Sequence, residues 1–221
     1  MIQLNAARLL LADIINNHRF PKAWGKLKRK YCNKLADLFL NALREQRRPY
    51  AAHATIWLED GRTISDLTDF IGKWVRANPV VKNGTRQTTT GKTQKYRKRP
   101  RCLYMWTQEE KDVSAVDCHH ETGLHVHMIL CVDAHSYHED WPEFIMGKAQ
   151  EAGIIAAHDL AYKVTGHHLI QSEADLKKAF SHSAYVTKLE QKDFREAGRN
   201  MGSSLCLLPM MQDDRFVIEA H

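Results

Sequence analysis

The sequence predicts an α+β protein built on a central, mainly antiparallel sheet of about five strands, with flanking helices and an N-terminal helical extension. Three observations carry that expectation. Apolar residues recur at helical spacing through residues 1–46. Several short segments further on alternate apolar and polar side chains, as half-buried strands do. The links between those segments are short, which favours antiparallel neighbours with helices laid on one face of the sheet.

In chain order, Leu9, Leu10, Ile14 and Ile15 mark a first helix. After a turn near Phe20-Pro21, a second helical pattern runs through Leu35, Leu38, Phe39 and Leu43. Its start is basic (Lys22, Lys26, Lys28, Arg29, Lys30, Lys34), and Arg47-Arg48-Pro49 closes it, because proline disfavours helical geometry in the preceding residue. Ala51 to Glu59 (AAHATIWLE) reads as a strand ended by the Asp60-Gly61 turn. Thr63 to Asn78 reads as a helix: Thr63 caps it, and Ile64, Leu67, Phe70, Ile71, Trp74 and Val75 form one apolar stripe.

Residues 81–100 break this pattern. They hold Lys82, Arg86, Lys92, Lys95, Arg97, Lys98 and Arg99 without one acidic residue, beside Gly84, Gly91 and Thr88-Thr89-Thr90. A core cannot accept such a segment, so it is expected as an exposed basic loop, either simply solvated or contacting DNA. Strands are expected over Cys102–Glu109 and Leu124–Val132, and a helix over Trp141–Ala152. A further helical stretch is expected over Ile155–Tyr162 and a short strand near His168–Gln171. Ser172 with Asp175 forms a capping box that opens a helix running to about Lys192. Ser203–Leu208 reads as a last strand. The plan is a helical extension over 1–49, a sheet domain over 50–210 and a tail over 211–221.

The chain has 221 residues, 43% of them hydrophobic and 26% charged, which suits a globular core and argues against disorder. A net charge of +6 and a pI near 9.0 suit a polyanionic partner without selecting one. Cys32, Cys102, Cys118, Cys131 and Cys206 form no CxxC pair, so reduced thiols and a cytoplasmic location are expected. No apolar run is long enough to cross a bilayer. Ala6–Ile15 is interrupted by Arg8 and Asp13 and reads as an amphipathic helix, not a signal peptide.

Segment 124–132 (LHVHMILCV) is the most informative. Alternation sends Leu124, Val126, Met128, Leu130 and Val132 to one face and His125, His127, Ile129 and Cys131 to the other. Two neighbouring imidazoles on one strand face can bind a divalent ion. A carboxylate from strand 102–109 would complete a mixed nitrogen and oxygen site suited to Mg²⁺ or Mn²⁺. Whether Gln108, Glu109 or Glu110 faces the histidines depends on strand register. Further on, Tyr185, Lys188 and Lys192 share one helical face. A lysine one turn from a tyrosine favours the phenolate that a nucleophile needs, although on its own the pattern better fits a surface tyrosine with two solvated lysines. His119-His120, beside Cys118 and Glu121, offer a zinc site only as a minor alternative, because their spacing is irregular. His167-His168 and the single histidines read as structural or solvent-exposed.

His125-Val126-His127 followed by Tyr185-x-x-Lys188 resembles the HUH endonuclease superfamily of rolling-circle replication initiators and relaxases. The downstream run is similar to the inovirus replication-protein-like family of filamentous phages and bacterial prophages: Ala179-Phe180, Ser183 to Lys188, Lys192, and Arg199-Asn200-Met201-Gly202-Ser203-Ser204. The resemblance spans roughly residues 50–206. That family carries W-x-x-E before its HxH strand, here Trp106 to Glu109, which implies Glu109 as third ligand. The chain departs from the pattern at Ala184, where serine is usual, at Met201, where phenylalanine is usual, and in the length of the 81–100 insert. The resemblance implies an RRM-like HUH core and a metal-dependent nickase acting on single-stranded origin DNA. It implies a 5′-phosphotyrosine at Tyr185, a free 3′-OH that primes replication, and Lys188 holding phosphate or activating the phenol. Lys192, Arg199, Lys92, Lys95, Arg97, Lys98 and Arg99 would contact DNA. No P-loop motif occurs, so unwinding would fall to a host helicase. Two rivals follow from the same residues: a non-catalytic RRM-like nucleic-acid binder or transcription regulator, and a metal-dependent hydrolase that uses water.

Overall fold

The computed structural model describes residues 2–17, 29–77, 83–87, 93–97, 102–110, 124–134, 140–184, 201–204 and 210–211. Two helices open the chain, α1 (Leu4–Asn17) and α2 (Arg29–Glu45). α1 buries Ala7, Leu11 and Ile14, a spacing of four and three that keeps one face inward. These side chains share a core with Leu35, Leu38 and Phe39 of α2 and with Ala51, Leu103, Met105, Ile129 and Cys131 of the sheet. The helices that open the chain are therefore packed directly on the sheet that bears the histidines.

That sheet has five strands: β1 (Pro49–Ile56), β4 (Leu103–Glu110), β5 (Leu124–Asp133), β6 (Tyr162–Leu169) and β7 (Met201–Ser203). Their order is β6-β1-β5-β4-β7, and every neighbouring pair is antiparallel. The expected α+β fold with a mainly antiparallel sheet is the observed one. The helices, however, lie on both faces. α1, α2 and α5 (Glu173–Ser183) cover one face, while α3 (Ile64–Ala77) and α4 (Trp141–Glu151) cover the other with Ile64, Leu67, Ile71, Trp141, Ile145 and Met146. Both faces of the middle strand β5 are apolar along most of its length, with Val126, Met128, Leu130 and Val132 on one side and Ile129 and Cys131 on the other. Leaving either bare would expose several side chains worth about 1.5–3 kcal/mol each on burial.

Local signals held where they were short-ranged. Thr63 caps α3, and Asp66 Oδ2 accepts from the Thr63 backbone N–H and hydroxyl, both at 2.8 Å. The capping box at α5 is complete: Ser172 Oγ accepts from Asp175 N at 3.2 Å, and Asp175 Oδ2 accepts from Ser172 N at 3.0 Å. α5 is described as far as Ser183; its expected continuation toward Lys192 lies outside the described residues.

Four expectations for single segments are corrected. Residues 155–162 are not helical. Ile155 bridges Leu58, and backbone bonds Ala156 N to Trp57 O (3.1 Å) and Trp57 N to Ala161 O (2.7 Å) hold the segment as a connection. The strand expected near His168–Gln171 is instead the longer β6, Tyr162–Leu169, whose pattern is interrupted at Gly166 (φ +64°) and by a register shift against β1. The last strand is Met201–Ser203 instead of Ser203–Leu208, paired with β4 so that Gly202 faces Trp106. In the basic insert, β2 (Asn83–Gln87) and β3 (Thr93–Arg97) form an antiparallel two-stranded ribbon in place of an irregular loop. Lys95 and Arg97 fall in β3, and Lys92, Lys98 and Arg99 lie outside the described residues.

Candidate active site

The site is built on the middle of the sheet. β1 and β4 flank β5, and register puts Thr55 and Thr107 directly across from His127. Position 109 pairs with position 125, so the backbone sets Glu109 beside His125 and assigns Gln108 and Glu110 to the opposite alternation, with Val126 and Leu124. His53 of β1 lies across from Ile129, one pair further along the same face. The sequence could not supply this register, because it depends on strands far apart in the chain.

His125 and His127 are buried at 0% and 4% exposure, and their Nε2 atoms stand 3.0 Å apart. On its other side, His127 Nδ1 lies 3.1 Å from Thr55 Oγ1 and 3.0 Å from His53 Nε2. An Nδ1–H donated to either partner leaves a lone pair on His127 Nε2, aimed at His125. The Trp57 ring lies against His125 with centroids 4.8 Å apart, which restrains that imidazole from the outside. His53 and Thr55 thus orient the HxH pair, in the way that outer partners fix the tautomer of ligating histidines. Sequence reasoning missed both. The available signal was the alternation in AAHATIWLE, which puts His53, Thr55 and Trp57 on one face.

The pair fits a cation on two observations. Two ligands about 2.1 Å from an octahedral ion and at right angles are separated by about 3.0 Å. Thr107 Oγ1, across from His127, is buried and has no hydrogen-bond partner among the described residues. A buried hydroxyl left so is costly unless a ligand or water completes it. Among the described residues no three His, Cys, Asp or Glu side chains converge as a ligand set. Strand register sets the backbone of Glu109 opposite that of His125.

No protein-family model, curated protein or solved structure matches the chain. The functional reading therefore rests on the residues and their geometry.

α5, the last described element before Tyr185 in the sequence, ends beside the site. Leu176, Ala179, Phe180 and Ser183 are its buried residues, and Phe180 meets Phe39 of α2 at 6.1 Å between ring centroids. At its C-terminal end the His182 ring stands edge-on to His53, with centroids 6.3 Å apart. Gly166 of β6 makes this approach possible, since a Cβ there would lie 2.5 Å from the His182 ring. Ala184, the next residue but one, is buried in the core on the histidine face. Tyr185, Lys188, Lys192 and Arg199 lie outside the described residues. Gly202 packs on Trp106 as closely as Gly166 does on His182, with an added Cβ at 2.5 Å from the indole. This close packing fastens the end of the Arg199–Ser204 motif to β4.

His167 and His168 separate to opposite faces. His167 bonds the Tyr50 hydroxyl through Nδ1 and reaches Glu143 Oε1 at 2.9 Å through Nε2, away from the HxH pair. His168 meets His182 on the α5 side. Among the described residues, Cys32, Cys102 and Cys131 form no disulfide. No helix among the described residues is long and apolar enough to cross a membrane.

Proposed function

We propose that this protein is a DNA nickase and strand transferase of the HUH class that initiates rolling-circle replication. The observation that carries the reading is the buried His125–His127 pair. Its Nε2 atoms are 3.0 Å apart, it is oriented by His53 and Thr55, and the end of α5 reaches its margin. His125, His127 and Glu109 would hold Mg²⁺ or Mn²⁺, which when bound polarises the scissile phosphate and offsets its developing charge.

Ala184, which is buried on the histidine face, is followed directly in the sequence by Tyr185. Its phenol oxygen forms a bond to phosphorus while the bond from phosphorus to the 3′ oxygen breaks. The phenol proton is lost, and the departing 3′ oxygen takes up a proton. The products are a 5′-phosphotyrosine and a 3′-OH. Attack by a 3′-OH on the same phosphorus reverses the step and rejoins the strand. Lys188, one turn beyond Tyr185 if the helix continues, steadies the phosphate and favours the phenolate. Lys192 and Arg199, Lys95 and Arg97 of the ribbon, and Lys92, Lys98 and Arg99 next to it in the sequence, supply sequence-independent attraction to the DNA backbone.

The test is a denaturing gel of labelled single-stranded origin DNA incubated with the protein and Mn²⁺. The nickase gives a protein–DNA adduct that is absent from Tyr185→Phe and from His125→Ala/His127→Ala. Binding without an adduct marks a non-catalytic RRM-like binder. Cleavage that survives Tyr185→Phe marks hydrolysis by water.

A further inference from the structure

A second histidine pair lies on the same sheet face but outside the HxH pair. His168 comes from the edge strand β6 and His182 from the last turn of α5, and neither has a part in the proposed strand transfer. His168 Nε2 and His182 Nδ1 are 3.3 Å apart, with rings nearly perpendicular at 78°. That separation is at the long end for a hydrogen bond between two ring nitrogens. It matches the roughly 3.3–3.4 Å edge of a tetrahedron whose ligands stand about 2.0–2.1 Å from zinc.

We propose that His168 and His182 form a second cation site, selective for Zn²⁺ and similar borderline metals, which clips the C-terminal turn of α5 to β6. Two imidazoles without a carboxylate select zinc, nickel or copper over magnesium, which prefers oxygen. Among the described residues no third His, Cys, Asp or Glu joins them, so the other coordination positions fall to water. The pair is built into the fold: Gly166, at φ +64°, opens the space that the His182 ring fills. Lys178 disfavours an incoming cation and Asp175 favours one. His53, edge-on to His182, is engaged with His127.

His182 lies three residues before Tyr185, so a metal here would fix the helical stem from which the tyrosine segment departs. The site itself does not depend on the nickase reading. The test uses the full chain carrying His125→Ala/His127→Ala, so that the first pair is silent. Zn²⁺ is titrated by calorimetry, and Tm is followed with and without Zn²⁺. The expected result is a Zn²⁺-binding event accompanied by a rise in Tm. Both should be lost on adding either His168→Gln or His182→Gln, with the far-ultraviolet circular dichroism unchanged. His182 is exposed, so its replacement leaves folding intact. Equal Zn²⁺ stoichiometry and an equal Tm rise with and without His182→Gln would overturn the proposal and leave the contact a hydrogen bond.

Discussion

His53→Ala removes one of two acceptors from the His127 nitrogen that faces away from His125. In the native protein that Nδ1 has His53 Nε2 at 3.0 Å and Thr55 Oγ1 at 3.1 Å. With His53 gone, Thr55 still holds the tautomer that presents Nε2 to a cation. The loss should therefore sit at the low end of the outer-shell range, about tenfold in metal affinity, or about 1.4 kcal/mol. His53→Ala/Thr55→Val removes both acceptors, and the loss should reach about 100-fold, or about 2.7 kcal/mol. Mn²⁺ calorimetry measures both variants, and nicking at saturating Mn²⁺ should return toward the native rate in the single variant. His53 is buried, so Tm is recorded beside each titration to separate unfolding from weakened ligation. A folded double variant that binds Mn²⁺ as tightly as the native protein would refute the role given to these two residues.

Three further outcomes follow from the packing. Gly202→Ala drives a Cβ into the buried Trp106 indole and should cost about 1–3 kcal/mol by denaturant unfolding; a neutral result would show that β7 does not pack there. Gly166→Val is strained at φ +64° and collides with His182, so it should lower adduct formation more than it lowers single-stranded DNA affinity in filter binding. Asp66 and Asp175 are held below the ordinary 3.8, Asp66 chiefly by the backbone N–H of Thr63 and Asp175 chiefly by the Ser172 hydroxyl. Their contribution to stability is thus complete above that pH and lost as pH falls through the lower folded values. Replacing Ser172 with Ala should flatten the acid limb of the stability profile, and an unchanged limb would contradict the assignment.

The parts of the fold that were legible in the sequence depend on near neighbours. The alternation of LHVHMILCV, the Ser172–Asp175 box and the apolar stripe of α3 each repeat within a turn or a strand. The misread parts depend on distant contacts. Ile154, Ile155 and Ala156 are apolar because they are buried in the core against the α4 face of the sheet, not because they line a helix. The ribbon of β2 and β3 carries almost no apolar residue and is defined by backbone pairing, which composition does not reveal. In the site, the His125–His127 pair could be read from one strand. His53 and Thr55 could not, because only the pairing of β1 with β5 brings them to it. The same holds for His168 and His182, which belong to different elements.

The central claim is that Tyr185 takes the DNA phosphate while His125 and His127 serve a metal beside it. Mass spectrometry of tryptic peptides, after reaction with single-stranded origin DNA and nuclease trimming, reads this directly. The account predicts a nucleotide phosphate on the peptide containing Tyr185, present with Mn²⁺ and absent after chelation or with His125→Ala/His127→Ala. A nucleotide on any other residue, or cleaved DNA with every peptide unmodified, would contradict it.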